Sequence, residues 1–423
     1  MPKKTLNDLG DIHGKRVLVR VDFNVPLDKK TGAVKNDRRI RAALPTIQTL
    51  QQRGAVVLLM SHLGRPEKAT PEERQLLTMD RVAERLGQLL GQPVPVLSQG
   101  DTVIGPEVQR AAAALEPGQV ALLQNLRFDP REQKNHPEFA AALAALGDVY
   151  VNDAFGTCHN DHDTSMVALP AAMKAAGKPR VIGRLVQREL EVLDQLLTQP
   201  ARPFLAIMGG AKVSDKLGFI QALLHKVDYL LIGGKMTYAF LKAQGRKVGS
   251  TQVADLEVET ARPLLAHVGQ KILLPGDYVT ACSDHLQEMQ IAHGDIAEGY
   301  EGVDIGPRTV ATYVSHLRSA RTVVWNGPLG WFEQPLFARG TYAIAVALAT
   351  CQATTIVGGG ETAEAVEQFE LAELMTHVST GGGAFLAYVE GKKFLSLAQI
   401  DDLETSAPGG VAKIPLDGND PTS

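Results

Sequence analysis

Cationic side chains gather at one recurrent place in the first half of the chain. Apolar runs empty into Asp22-Phe23-Asn24, Ser61-His62-Leu63-Gly64-Arg65-Pro66, Leu126-Arg127-Phe128 and Asn152-Asp153, while Arg39 stands just ahead of a helical pattern. A guanidinium fork donates two parallel hydrogen bonds to a carboxylate or phosphate. Any one of these arginines reads best as a solvated loop charge. Their recurrence at the ends of strands is what points to a small, strongly anionic ligand. The second half offers glycine instead: Gly209-Gly210-Ala211-Lys212, Gly233-Gly234-Lys235, Asn326-Gly327-Pro328, Gly358-Gly359-Gly360-Glu361-Thr362 and Thr380-Gly381-Gly382-Gly383. Glycine lets backbone N–H groups approach phosphate oxygens, and a following helix N-terminus favours negative charge. Lys212 and Lys216, four apart at an expected helix start, could turn both ammonium groups to one anion.

The elements that position these groups alternate. Strand-like runs at Arg16–Val21, Ala55–Met60, Val120–Gln124 and Asp148–Asn152 are separated by helical patterns such as Arg41–Arg53, Met79–Leu90 and Pro137–Leu146. The second half repeats the alternation from Phe204–Met208 to His377–Ser379. This predicts an α/β fold with parallel sheets covered by helices on both faces. In such sheets ligands bind beyond the carboxyl ends of the strands, where the arginines and glycines lie. With 423 residues, two domains are expected. The seam falls at the small, Pro/Gly-containing stretch Pro170–Arg180 and the long amphipathic pattern Arg184–Leu197. Residues 1–180 then form one lobe, 181–200 a connecting helix and 201–400 a second lobe, with the tail 401–423 packing back on the first.

A net charge of -4 argues against a nucleic-acid or membrane-surface partner. Cys158, Cys282 and Cys351 are odd in number and far apart, which gives no disulfide framework. With no signal-type or membrane-spanning apolar run, a cytoplasmic protein is expected. The P-loop pattern and the protein-kinase signatures are missing. Gly358, Gly360 and Ala363 match the loose dinucleotide fingerprint, but late in the domain. Cys158-His159 and His162 supply three metal-type ligands without a fourth, and Asp161 and Asp163 beside them read as surface charges.

Taken together and in order, the motifs resemble the phosphoglycerate kinase family. They are Val19-Arg20-Val21-Asp22-Phe23-Asn24-Val25-Pro26, Arg39-Ile40 through Pro45-Thr46, Ser61 to Pro66, Leu126-Arg127-Phe128, Asn152 to Gly156, Gly209 to Lys216, Asp304 to Pro307, Trp325 to Pro328 and Phe332-Glu333. The likeness runs to about Lys393. It implies two Rossmann-like lobes joined by a helix, with 3-phosphoglycerate or 1,3-bisphosphoglycerate on the first and ATP or ADP with Mg2+ on the second. Asp22 and Asn24 would hold the hydroxyl and carboxylate region of the glycerate, and His62, Arg65 and Arg127 its phosphate. Arg39 would approach the reacting carboxyl. Lys212 and Lys216 would contact the transferring and terminal phosphates, with Gly382 and Gly383 lending N–H groups to the migrating phosphoryl. Glu333 would take the ribose; Gly359, Gly360 and Thr362 would take the polyphosphate, with Gly302 and Asn326 also on the nucleotide side. The resemblance implies a monomeric enzyme of glycolysis, carbon fixation or gluconeogenesis.

The chain departs from the family at two site positions. Asn160 stands in the substrate-binding set where an arginine is usual, within His159-Asn160-Asp161-His162, and Glu361 replaces an aspartate at the magnesium position. The second functional class these departures raise is a regulatory paralogue that binds but hardly turns over.

Overall fold

The computed structural model describes residues 2–268 and 270–403. Five parallel strands form the first sheet: β1 Arg16–Val21, β2 Val56–Met60, β3 Val120–Leu122, β4 Val149–Asp153 and β5 Arg180–Ile182, in the order β3-β2-β1-β4-β5. The second lobe begins with β6 Phe204–Met208, β7 Tyr229–Ile232 and β8 Ile272–Leu273. A three-stranded antiparallel sheet follows, β9 Tyr278–Cys282, β10 Met289–Ala292 and β11 Tyr300–Ile305. Then β12 Thr322–Asn326, β13 Thr354–Gly358 and β14 His377–Val378 complete a six-stranded sheet ordered β14-β13-β12-β6-β7-β8. Its pairings are all parallel.

Near-continuous apolar runs suit strands buried on both faces. On β1, Val17 and Val19 enter one core with Ile40, Ala43, Ile47 and Leu50 of the helix Arg38–Gln52. Leu18 enters another, which continues through Val186, Val192 and Leu196 of the connecting helix Arg184–Thr198 to Phe204, Ala206 and Met208 of the second lobe. That alternation is the strand period of two. The connecting helix is therefore a core element of both lobes. Among the described residues no helix is long and apolar enough to cross a membrane.

The fold class holds, and three local readings are corrected. Pro170–Arg180 is not a plain linker: Ala168–Ala175 is helical and β5 carries the first sheet on to Ile182, past the expected boundary at 180. A short alanine-rich pattern hid the helix, and β5 is only three residues long. The antiparallel β9–β11 sheet carried no helix-strand alternation to announce it. Asp163 is buried, at 2% exposure, where a surface charge was expected. Of the tail, Asp401 pairs with Arg180 and accepts from its backbone N–H at 2.9 Å, and Asp402 meets Lys3 at 2.7 Å. Residues 404–423 lie outside the described residues.

Candidate active site

Each sheet has one point where its strand order reverses, and the chemistry collects at both. In the first sheet that point lies between β1 and β4, and Asp22 follows β1 directly. Arg39, in the first turn of its helix, donates from Nη1 to both Asp22 oxygens at 2.9 Å. Asn24 accepts the Gly64 N–H at 2.9 Å, and Arg127 donates to the Gly64 carbonyl at 2.9 Å. Asn125 ties the same turn down through Leu63, accepting its N–H at 3.0 Å and donating to its carbonyl at 2.8 Å. Three strand-end loops are thus locked around Gly64. Arg127 Nε is buried without a hydrogen-bond partner. Arg65 is exposed at the rim.

His62 is 3% exposed, and Arg20 Nη2 lies 3.1 Å from its Nδ1. A guanidinium cannot accept a hydrogen bond, so Nδ1 accepts and the ring proton sits on Nε2. Burial first, then the charge of Arg20, hold the imidazole pKa well below its usual value. Behind Arg20, its Nε donates to Ser165 Oγ at 2.9 Å, and Ser165 passes a hydrogen bond to Glu132. Burial pushes Glu132 up to about 7 while Arg20 pulls the other way.

Asn160 donates to Asp163 at 3.0 Å, and Asp161 turns away to accept the Leu395 N–H at 3.3 Å. The acidic residue beside the substituted arginine therefore does not face the cationic cluster. Cys158 is buried, its Sγ 3.5 Å from the Ala154 carbonyl. Among the described residues no group of three or more His, Cys, Asp or Glu is arranged to hold a metal.

In the second sheet the reversal lies between β6 and β12. A Cβ on Gly209 would collide with the carbonyl oxygens of Gly327 and Pro328, so glycine is required where the two strand ends cross. Lys216 reaches over this crossing, its Nζ donating to Asn326 Oδ1 at 2.6 Å. Burial pushes its ammonium down to about 8, against the raising influence of Glu361 and Asp215. Lys212 does not share its setting. It is exposed in the loop before a 3-10 turn at Ser214–Lys216, and the helix begins only at Leu217. The expected i, i+4 pair on one helix face is corrected: Glu257 grips the loop through Val213 N at 2.6 Å and Ser214 N at 3.0 Å and interrupts the helix.

A cavity of about 400 Å³ opens beside Lys216, lined by Gly210, Gly234, Tyr238, Gly302, Glu333 and Glu361 among others. Gly359, at φ +96°, precedes the helix Gly360–Gln368, so the free N–H groups of its first turn face outward from β13. The Thr362 hydroxyl is already engaged, accepting the Gly327 N–H at 2.6 Å. Glu361 is an exposed carboxylate on the same turn. One carboxylate beside a phosphate-sized space suits Mg2+, which keeps waters and takes substrate phosphates as its other ligands.

Between the lobes runs a cleft of about 520 Å³ whose walls carry Asn24, Arg38 and Arg39 on one side and Gly360, Thr380 and Gly382 on the other. Gly383 lies at the same turn, facing His159 across the gap. A larger cavity of about 750 Å³, lined by Asp37, Arg41, Arg81 and Arg85, holds none of the expected site residues.

A family model described as phosphoglycerate kinase matches residues 6–392. The chain belongs to the phosphoglycerate kinase family. It is 48% identical over 408 residues to a phosphoglycerate kinase of Rhodopirellula baltica, covering 95% of this chain and all of that one. It is 50% identical over 400 residues to the Moorella thermoacetica protein of that name, covering 93% and 97% of the two chains. The solved phosphoglycerate kinase of Coxiella burnetii superposes with a TM-score of 0.80 at 37% identity, covering 94% of this chain and 98% of that one. That of Pyrococcus horikoshii gives 0.81 at 31% identity over the same shares. No observation among these favours the weakly active paralogue.

Sequence reasoning in terms of the phosphoglycerate kinase pattern passed over the buried supports. Arg20, Ser165 and Glu132 stand behind the first half-site, beside the misread Asp163. Glu189 of the connecting helix accepts from Thr380 N at 2.8 Å and meets His377 Nε2 at 2.8 Å. A charged residue inside an apolar strand, as Arg20 is in Val19-Arg20-Val21, was the available signal.

Proposed function

We propose that the chain catalyses reversible phosphoryl transfer between 1,3-bisphosphoglycerate and ADP, giving 3-phosphoglycerate and ATP. The observation that carries this is the cleft itself: a cationic wall with Arg38 and Arg39 on one side and glycine-bearing turns on the other, with Lys216 over the neighbouring strand crossing. In this reading Asp22 and Asn24 orient the glycerate, and His62, Arg65 and Arg127 hold its phosphate. His62 does so as a neutral Nε2–H donor. Arg39 leaves its pairing with Asp22 to meet the developing charge on the transferred group. Lys216 and Lys212 neutralise the nucleotide phosphates, while Gly382 and Gly383 offer helix-terminal N–H groups to the phosphoryl in flight. Asn326, Gly302, Glu333, Gly359, Gly360 and Thr362 shape the nucleotide site. Glu361 would hold Mg2+, which when bound neutralises phosphate charge. The acyl phosphate is already activated, so transfer needs positioning and charge neutralisation more than a strong base.

The proposal includes lobe limits near 180 and 200 and a monomer working in a reducing cytoplasm, supported by the free Cys158, Cys282 and Cys351. A coupled assay with ATP, 3-phosphoglycerate, glyceraldehyde-phosphate dehydrogenase and NADH tests the activity. NADH oxidation that needs both substrates is expected, and its absence with folded protein rejects the reading.

A further inference from the structure

Beside Arg39 on the cleft wall, a second arginine reaches across to the other lobe. Arg38, next to Arg39 in the first turn of the helix Arg38–Gln52, places Nη1 2.7 Å from Glu367 Oε1. Its Nη2 donates to the Val378 carbonyl at 2.5 Å. Asn36 adds a hydrogen bond from Nδ2 to Glu367 Oε2 at 2.7 Å. The Arg38 and Glu367 side chains are 27% and 22% exposed, so water is largely excluded from the pair.

The acceptors occupy telling places. Glu367 lies near the end of the helix Gly360–Gln368, whose first turn carries Gly360, Glu361 and Thr362. Val378 ends β14, just ahead of the Gly381–Gly383 turn. Arg38 thus grips both nucleotide-side elements from the residue adjoining Arg39. We propose that Arg38, assisted by Asn36, is a positioning residue whose clamp on Glu367 and Val378 sets the lobe separation at which Arg39 faces the Gly381–Gly383 turn.

The energetics give the clamp an effect that its chemistry alone would not predict. A surface ion pair within one folded lobe contributes little, because both charges are well hydrated before and after pairing. This pair bridges two lobes, so opening the cleft separates it. Its free energy enters the equilibrium between open and closed enzyme, and a contact can shift that equilibrium only by the difference it makes between the two states. A tenfold shift corresponds to about 1.4 kcal/mol, within reach of a partly buried charged contact with two supporting hydrogen bonds.

The inference rests on the kinase reading, and its test separates the two. In Arg38→Gln, the dissociation constants of 3-phosphoglycerate alone and of Mg-ADP alone are expected to stay within about twofold. The kcat/KM is expected to fall about tenfold, with the thermal midpoint unchanged. Combining Arg38→Glu with Glu367→Arg should recover most of the loss seen in Arg38→Glu. Small-angle scattering with 3-phosphoglycerate and Mg-ATP should show less compaction in Arg38→Gln than in wild type, a readout that does not require turnover. Wild-type kcat/KM in Arg38→Gln, or equal compaction, overturns the clamp while leaving the kinase reading in place. An inactive wild type with a clamp-dependent compaction rejects the kinase reading alone.

Discussion

Arg20 Nη2 and His62 Nδ1 lie 3.1 Å apart, both side chains sealed from solvent. The pair fixes the histidine as a neutral ring with its proton on Nε2, because the guanidinium can only donate. Nitrogen NMR of the His62 ring is expected to report that tautomer from pH 5.5 to pH 8. Arg20→Met should raise the KM for 3-phosphoglycerate about tenfold and lower stability by about 3 kcal/mol, since it strips a buried network of its cation. A doubly protonated His62 at pH 6 in wild type would contradict the arrangement.

The pH dependence on the nucleotide side follows from Lys216, whose ammonium burial lowers to about 8. In the proposed reading the charged form serves the phosphates, so the kcat/KM for nucleotide should fall as pH rises through about 8, where the free enzyme loses that proton. Bound phosphates favour the ammonium, so kcat at saturation should stay flat to higher pH. The sign for stability is opposite. Between about 8 and the ordinary lysine range the unfolded chain binds the extra proton, so this group makes stability rise with pH there. Parallel kcat and kcat/KM profiles would remove Lys216 from the explanation.

Arg39 holds both Asp22 oxygens in the structure, which keeps it poised without occupying the site. In the proposed reading its contact with the transferred group belongs to the transition state, so Arg39→Ala should lower kcat by roughly a thousandfold. The KM for 3-phosphoglycerate should change by less than about threefold. Steady-state kinetics decide it: a raised KM with intact kcat would make Arg39 a ground-state ligand.

The two departures from the family pattern should separate by ligand. Asn160 is tied to Asp163; in the proposed reading the phosphate would then have one cationic contact fewer, a charge-assisted bond of about 1.5–3 kcal/mol. Asn160→Arg is expected to lower the KM for 3-phosphoglycerate without raising kcat. Glu361→Asp should shift the Mg2+ dependence and leave glycerate affinity unchanged, because Mg2+ tolerates displaced oxygens poorly. Titrations of each substrate and of Mg2+ on both variants distinguish these outcomes, and a crossed pattern would reverse the assignments.

The sequence by itself determined the α/β class and most of the parallel strands, but not β5 or the antiparallel β9–β11 sheet. Runs such as Phe204–Met208 and Tyr229–Ile232 are apolar at every step because a parallel sheet buries both faces, and their limits survive unchanged in the structure. It also determined which residue types stand at the strand ends. What only the tertiary structure decided are relations between residues far apart in the chain. Lys216 meets Asn326 because β6 and β12 are neighbours across a reversal of strand order. Glu189 reaches His377 because the connecting helix is packed into both lobes. Lys212 and Lys216 part company because Glu257, contributed by a later helix, holds the loop between Gly210 and the 3-10 turn. Local patterns record burial and backbone preference, which act over a few residues. Which carboxylate faces which cation is fixed by packing, after the chain has closed on itself.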